Sequence, residues 1–463
     1  MGSAGKIEHS NRLIILIAIN LSSFLAPFMA SSVNIALPSI GKEFDMGAIL
    51  LGWVATSYIL SSAIFLVPFG RLGDIYGRKL IFSYGIIVYT LTSLLIGFSF
   101  SSEMLIFLRV LQGIGASMLF STAVAILTSV FPANERGKVL GINVAVVYVG
   151  LSLGPTLGGL LTQYLGWRSI FFVNVPLGFL IIIFTFWKLK GEWTGAKGEK
   201  FDFIGSIIYG LMLISIMYGF TRLTNYIGVV LVAFGALCFC IFLIIELRIK
   251  NPVLNISLFK NSRSFAFSNL AALINYSATS ATGFLISLYL QYIKSLTPRN
   301  AGFILLAQPI TQAIFSPLAG RLSDKIEPRI VASIGMGLTA IGLLLLINLN
   351  NSVSLLFIIV SLIFLGFGFA LFSSPNTNAI MSSVEKRYYG VASGTLATMR
   401  MVGQMLSMGV VMLIFSIYIG KEKITPKYYQ AFLISAKITF IIFSVLCAGG
   451  IFASLNRGKV RKD

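Results

Sequence analysis

The amino-acid sequence predicts an all-α membrane protein: two six-helix bundles with two further helices inserted between them, fourteen transmembrane helices in all. Three observations predict it. Of the 463 residues, 57% are hydrophobic and only 11% are charged, whereas a soluble domain carries about 25% charged residues. Apolar runs long enough to cross a bilayer, about 20 residues, recur along the whole chain. Two related polar phrases also share Gly-Arg-Leu-x-Asp, "GRLGDIYGRK" at 70–79 and "GRLSDKIEPR" at 320–329, each after the second run of a group of six.

The runs fall at 13–37, 49–69, 80–100, 104–127, 139–162 and 169–187, then at 203–221 and 226–246. The last six lie at 265–291, 301–320, 330–349, 353–376, 391–418 and 430–455. The expected division is a tail at 1–12, a first bundle at 13–190, an inserted pair at 201–248, a second bundle at 264–455 and a tail at 456–463. The first run is too long for a cleaved signal, and more follow it. No loop is long enough for a soluble domain.

Charge placement gives the orientation. With the N-terminus in the cytoplasm, 24 of the 35 Lys and Arg fall on that side and eight on the other. By the positive-inside rule this predicts a plasma-membrane protein with both termini cytoplasmic. It also accounts for most of the net charge of +20 without a nucleic-acid partner. Three basic residues, Arg109, Arg400 and Lys437, lie within runs, and Lys437 is placed to snorkel to the outer face. The 15 acids lie in loops, tails or helix ends, with Glu103 and Glu246 nearest to lipid. Cys238, Cys240 and Cys447 sit in apolar runs without metal-ligand spacing, and the single His is His9. Neither a metal site nor a cofactor is expected, nor is an enzyme.

Each motif has a physical reading. Gly70, Gly73 and Gly77 permit a tight turn between two helices. Asp74 suits a helix N-terminus, where negative charge is worth roughly 0.3–1 kcal/mol, and Arg78 and Lys79 can pair with it or with lipid phosphates. A plain polar loop is the alternative for one copy; a second copy argues against it, because internal repeats around a central site are a transporter architecture. In "GLSLGPTLGG", residues 150–159, Gly150, Gly154 and Gly158 recur every four residues and share a helix face. That small-xxx-small pattern allows close helix contact, and Pro155 bends the helix. A seam that slides or seals as two halves move is expected there; a well-packed helix pair is the alternative. A mid-helix cation such as Arg109 costs at least about 2.5–3.5 kcal/mol on insertion. It is therefore expected to face a cavity and act there, or else to be bonded structurally to carbonyls.

"GRLGDIYGRK" resembles the cytoplasmic loop signature of the major facilitator superfamily. "RVLQGIGAS", residues 109–117, resembles the superfamily's span 4 motif, with Arg109, Gln112, Gly113 and Gly115 in the matching places. "GLSLGPTLGG" is similar to the span 5 antiporter motif through Gly150, Gly154, Pro155, Gly158 and Gly159. "SVNIALP", residues 32–38, resembles the end of the span 1 motif of the 14-span drug/proton antiporters. The resemblance covers the whole chain. It implies two six-helix halves rocking around a central cavity in a monomer that exports small amphipathic compounds, drugs or toxic metabolites, in exchange for protons, as multidrug efflux transporters do.

The resemblance also assigns roles. Proton coupling and gating fall to Arg109, Asp74, Gln112, Gly113 and Arg78. Asn34, Tyr58, Asn143, Gln308 and Gln312 are candidate substrate contacts near the centre. Arg400 matches a recurring span 13 position, with a structural pairing as the alternative. One departure matters: where relatives carry an Asp five residues before the span 1 Asn, this chain has Met29 before Asn34. Lipophilic dications are then expected to be poor substrates, and the proton falls to Asp74, Asp324 or a cavity-edge acid such as Glu103. The rival reading keeps the fold and makes the protein a uniporter or exporter of an anionic or lipid-like metabolite, with Arg109 and Arg400 as counter-ions.

Overall fold

The computed structural model describes residues 9–132, 135–189, 191–250, 252–254, 256–385 and 389–458. Lys6, Lys190, Lys386, Arg387, Lys459, Arg461 and Lys462, counted above for orientation, lie outside the described residues. A first group of helices comprises α1 (His9–Glu43), α2 (Ala48–Tyr76), α3 (Arg78–Gly97), α4 (Ser102–Val130), α5 (Arg136–Leu165) and α6 (Arg168–Lys188). The inserted pair is α7 (Phe203–Phe220) and α8 (Tyr226–Arg248), followed by the short α9 (Ser257–Asn261). A second group comprises α10 (Arg263–Thr279), α11 (Thr282–Leu288), α12 (Pro298–Leu305), α13 (Ala307–Lys325), α14 (Pro328–Leu346), α15 (Leu355–Ser382), α16 (Tyr389–Tyr418) and α17 (Tyr429–Leu455).

Side-chain caps set several of these starts. Ser101, Asp202, Ser262, Thr297 and Ser354 each accept a hydrogen bond from the backbone N–H three residues on, satisfying a donor that the helix leaves free. Among the described residues, thirteen helices are long and apolar enough to cross a membrane, with α12 and α13 joined as one. The remaining expected run, 265–291, is divided between α10 and α11 and ends in a π turn, Tyr289–Ile293. Hydroxyls gather at the break. Ser277, Thr279 and Ser280 donate back to the carbonyls of Leu273, Asn275 and Tyr276, a bonding that competes with the helix ladder and bends it. The Ala281 N–H is instead satisfied by Ser407 Oγ of α16, at 3.0 Å.

The packing repeats. In the first group α1 lies on α5 and α6, α2 on α4, and α3 on α4 and α6; in the second, α10 lies on α16 and α17, α13 on α15, and α14 on α15 and α17. Between the groups α2 meets α16 and α5 meets α12, and the same exchange interconverts the two pairings. Helix α7 rests on this seam. Its Tyr209 hydroxyl donates to the Ala63 carbonyl of α2 at 3.2 Å, and Gly409 of α16 leaves room for Phe220. Helix α8 packs on α7 and exposes Leu237, Phe239 and Ile244, an apolar face suited to lipid.

Both repeat turns, 70–79 and 320–329, lie at one end of the molecule, here the signature end. At the far end the two groups are stitched together. Ser287 Oγ donates to the Asn34 carbonyl (2.6 Å), Gln291 Nε2 to the Ile35 carbonyl (3.0 Å), and Ala48 N to the Glu422 carbonyl (2.9 Å). Arg299 Nη1 reaches Tyr164 (3.1 Å), and Lys423 pairs with Asp45. Near the signature end, beside Gly137 and Gly141 of α5 and Gly390 and Gly394 of α16, a side chain would meet open space.

Candidate functional site

The first signature turn is held from two sides. Arg78 donates through Nε (2.9 Å) and Nη2 (2.8 Å) to Asp74 Oδ1, and through Nη1 to Ser129 Oγ (2.9 Å) of α4. Gly77, at φ 131°, supplies a backbone conformation that residues with a Cβ rarely adopt. The segment after α6 closes over the turn. Glu192 accepts from the backbone N–H of Lys79 (2.8 Å) and Leu80 (3.2 Å), capping α3, and Glu199 pairs with Arg71. Gly195 and Ala196 both donate to the Asp74 carbonyl at 2.9 Å. The sequence reading missed Glu192 and Glu199, because nothing local marks a residue more than a hundred positions away as a helix cap.

Arg109 is only 1% exposed. It lies inside the first group and does not face open space. Nε donates to the Val54 carbonyl of α2 (3.0 Å), Nη1 to Gln112 Oε1 (2.6 Å), and the guanidinium stands 4.3 Å over the Tyr58 ring. Gln112 passes the chain on, donating to Ser93 Oγ of α3 at 2.8 Å. Gly113 lets α4 approach α2: a Cβ there would lie 2.5 Å from the Tyr58 carbonyl. The expected cavity-facing arginine is corrected to an enclosed one, since neutral acceptors from two helices spare the charge a watery exit.

The glycine stripe of α5 also differs from expectation. Gly150, Gly154 and Gly158 face α1 of the same group. A Cβ would meet the Phe24 carbonyl at 2.8 Å from Gly150, the Phe28 carbonyl at 2.9 Å from Gly154, and Ser32 Cβ at 2.7 Å from Gly158. Ser32 Oγ then donates to the Gly154 carbonyl (2.9 Å), a bond only this close approach permits. The seam between groups is made by the neighbouring positions. Gly159 packs on the backbone of Pro298 and Arg299, and the Pro155 carbonyl packs on Gly302.

The remaining candidates divide. Asn143 is buried and donates to Asn20 Oδ1 (2.9 Å) and Ser23 Oγ (2.8 Å) of α1, so its amide is committed within the first group. Tyr58 is buried under Arg109, its hydroxyl without a partner. Asn34 is half-buried at the far-end stitching, and Gln308 is half-buried on α13. Gln312, one turn on, is 5% exposed with Nε2 unpartnered. Glu103 is no cavity-edge acid: it is exposed in the first turn of α4 at the far end, accepting from Ser102 Oγ (2.9 Å). Arg457, expected in the tail, is 1% exposed, donates to Asn376 Oδ1 (3.0 Å) and the Ser454 carbonyl (2.8 Å), and burial pushes its guanidinium down to about 10. Lys437 is exposed on α17. Glu246 is 3% exposed and accepts from the backbone N–H of Leu254 at 3.0 Å, ending the inserted pair.

Arg400 is half-buried on α16, and its surroundings bring together residues that sequence reasoning did not single out. Its guanidinium stands 5.2 Å from the centre of the Tyr276 ring of α10. Ser373 of α15 lies beside the Tyr276 hydroxyl and shares a 3.2 Å hydrogen bond with the hydroxyl of Tyr148 of α5. That bond crosses between the groups at mid-depth. No motif carries Tyr148, Tyr276 or Ser373; only the tertiary crossing of α5, α10, α15 and α16 assembles them.

The comparisons agree with this architecture. The family model of the Major Facilitator Superfamily matches residues 19–255 and 269–458. The chain is 29% identical to the riboflavin transporter RibZ of Clostridioides difficile over 96% of both chains. It is 32% identical to the multidrug resistance protein Stp of Mycobacterium tuberculosis over 86% of this chain and 75% of that one. A solved bacterial homologue of the human lysosomal transporter Spinster, in an inward-facing conformation, matches with a TM-score of 0.67 at 17% identity over the full length of both. The chain is a multi-pass membrane transporter, not an enzyme, and belongs to the major facilitator superfamily.

Proposed function

We propose that this transporter exports small amphipathic organic compounds from the cytoplasm in exchange for protons, by alternating access, as a monomer in the plasma membrane with both termini cytoplasmic. One observation carries the reading: hydrogen bonds stitch the two helix groups together at the far end, while α5 and α16 have open space beside them near the signature end. That is one of the two end states a rocking exporter needs, with its mouth on the side the charge bias makes cytoplasmic. Multidrug resistance proteins among the relatives support the export of drugs or toxic metabolites. Asn34, Gln308 and Gln312 then serve as polar contacts in an apolar path. The Asp74–Arg78 turn and the Arg109–Gln112 chain couple proton uptake to closure of the mouth, and the α5 motif from Gly150 to Gly159 carries the first group's movement. The driving force suffices: about 2.3 kcal/mol per charge per 100 mV, with about 1.4 kcal/mol more per pH unit.

The test is proton flux in proteoliposomes holding a pH-sensitive dye, challenged with neutral, anionic and cationic amphiphiles. The expected outcome is a compound-dependent proton movement, absent with Asp74→Asn. Compound movement that ignores the proton gradient would contradict the exchange.

A further inference from the structure

We infer that Arg400, with Tyr276, Tyr148 and Ser373, forms a recognition site for the anionic group of an aromatic substrate, so that the preferred cargo is an organic acid with an apolar body. The inference rests on the export reading above and names the cargo's chemical class. Arg400 lies eleven residues into α16, about 17 Å along the helix from its signature-end start at 1.5 Å per residue. At that depth a cation is costly and is kept where it meets an anion, a carbonyl or a water-filled space. The ion pairs Arg71–Glu199, Arg78–Asp74, Arg168–Glu43 and Lys423–Asp45 all lie at helix ends. Among the described residues, no carboxylate pairs with Arg400. Its Nε is enclosed without a hydrogen-bond partner.

The neighbours suit a carboxylate on a ring. A guanidinium presents its donors in a planar fork that matches two carboxylate oxygens. The Tyr276 ring beneath it holds the fork in place. Tyr276 in turn meets Phe369 edge to face, 5.4 Å between centroids, an apolar wall for the substrate's body. Tyr148 and Ser373 add two hydroxyls from opposite sides of the seam. A substrate bound there touches both moving groups, the position from which binding can be felt by the gate.

The experiment measures binding of radiolabelled 1-naphthoate to the purified full-length protein, against the neutral 1-naphthamide and the cationic 1-naphthylmethylammonium. The wild type is expected to favour the carboxylate by about tenfold or more, as a charge-assisted hydrogen bond implies. Arg400→Gln should abolish that preference and Arg400→Lys keep part of it. Ser373→Asp supplies an internal anion beside the Tyr276 and Tyr148 hydroxyls and should abolish the preference with the arginine in place, which decides the matter should Arg400→Gln fail to fold. Equal binding of the three probes, or a preference that survives both variants, overturns the inference. Binding is repeated in vesicles of phosphatidylcholine alone and with phosphatidylglycerol. Unchanged affinity supports an organic-acid cargo; competition by the anionic lipid, lost in Arg400→Gln, overturns it in favour of a lipid headgroup. Proton exchange with neutral compounds but no anion preference would sink this inference and leave the export reading standing. Anion binding without any proton exchange would do the reverse.

Discussion

Arg109 and Arg400 lie well inside membrane-spanning helices rather than at their ends, and they are not alike. Arg109 is enclosed within the first group and spends its donors on a carbonyl and a glutamine while lying over a tyrosine ring. Arg400 stands at the seam between groups, also over a tyrosine, yet with an enclosed Nε that bonds nothing. The first is a clamp among α2, α3 and α4; the second has the Tyr276 hydroxyl beside its guanidinium and an Nε left over. Insertion costs are the same for both, so the difference lies in the shell around them. A membrane cation bonded by fixed acceptors within one group joins its helices and passes their movement on, whereas one with a donor left over at the seam can take an anion from the substrate.

The comparison breaks most readily on stability. Arg109→Leu takes the arginine's bond from the Val54 carbonyl and leaves Gln112 Oε1 buried without its donor, the second loss costing about 1–3 kcal/mol. A clearly lowered thermal unfolding midpoint in detergent is expected, whereas Arg400→Gln should leave the midpoint in place while changing binding. Equal shifts in the two variants would erase the distinction.

A second contrast sharpens the same division between holding a group together and joining the groups. Gly154→Leu drives a side chain into α1, and Gly159→Leu drives one into Pro298 and Arg299 across the seam. Overpacking costs about 1–3 kcal/mol in each place, with different results. The first is expected to lower the yield of folded protein. The second should leave folding intact and open the far end, read as faster labelling of a cysteine placed at Gln163. A smaller effect is expected from Glu192→Gln, which weakens the cap on α3 by about 0.5–2 kcal/mol; a reduced transport rate with normal binding is the readout. Least of all, Lys423→Ala removes an exposed ion pair worth about 0–1 kcal/mol, and the unfolding midpoint should barely move.

Much of the fold was legible because lipid imposes one rule on every span: enough apolar residues to cross, with polar turns between. The 13–37 and 226–246 runs needed nothing further. The 265–291 run shows where that rule stops, since the N–H freed at its break is answered by Ser407 from a distant helix. The motif glycines were legible as small-residue faces, but not which neighbour they face: Gly150, Gly154 and Gly158 turn to α1, Gly159 to α12. Asn143 looked available and is bonded to Asn20 and Ser23. Periodicity gives a helix its faces, and only the assembled bundle gives each face a partner.

The most direct test of two groups rocking about a shared centre is a pair of distances. Spin labels at Val144→Cys and Val391→Cys report the signature end, and labels at Gln163→Cys and Arg299→Cys the far end, with Cys238, Cys240 and Cys447 replaced by Ala. When a transported compound is added with a proton gradient across the membrane, the signature-end distance should shorten while the far-end distance lengthens. Two distances that stay fixed during transport, or that change in the same direction, would contradict the account.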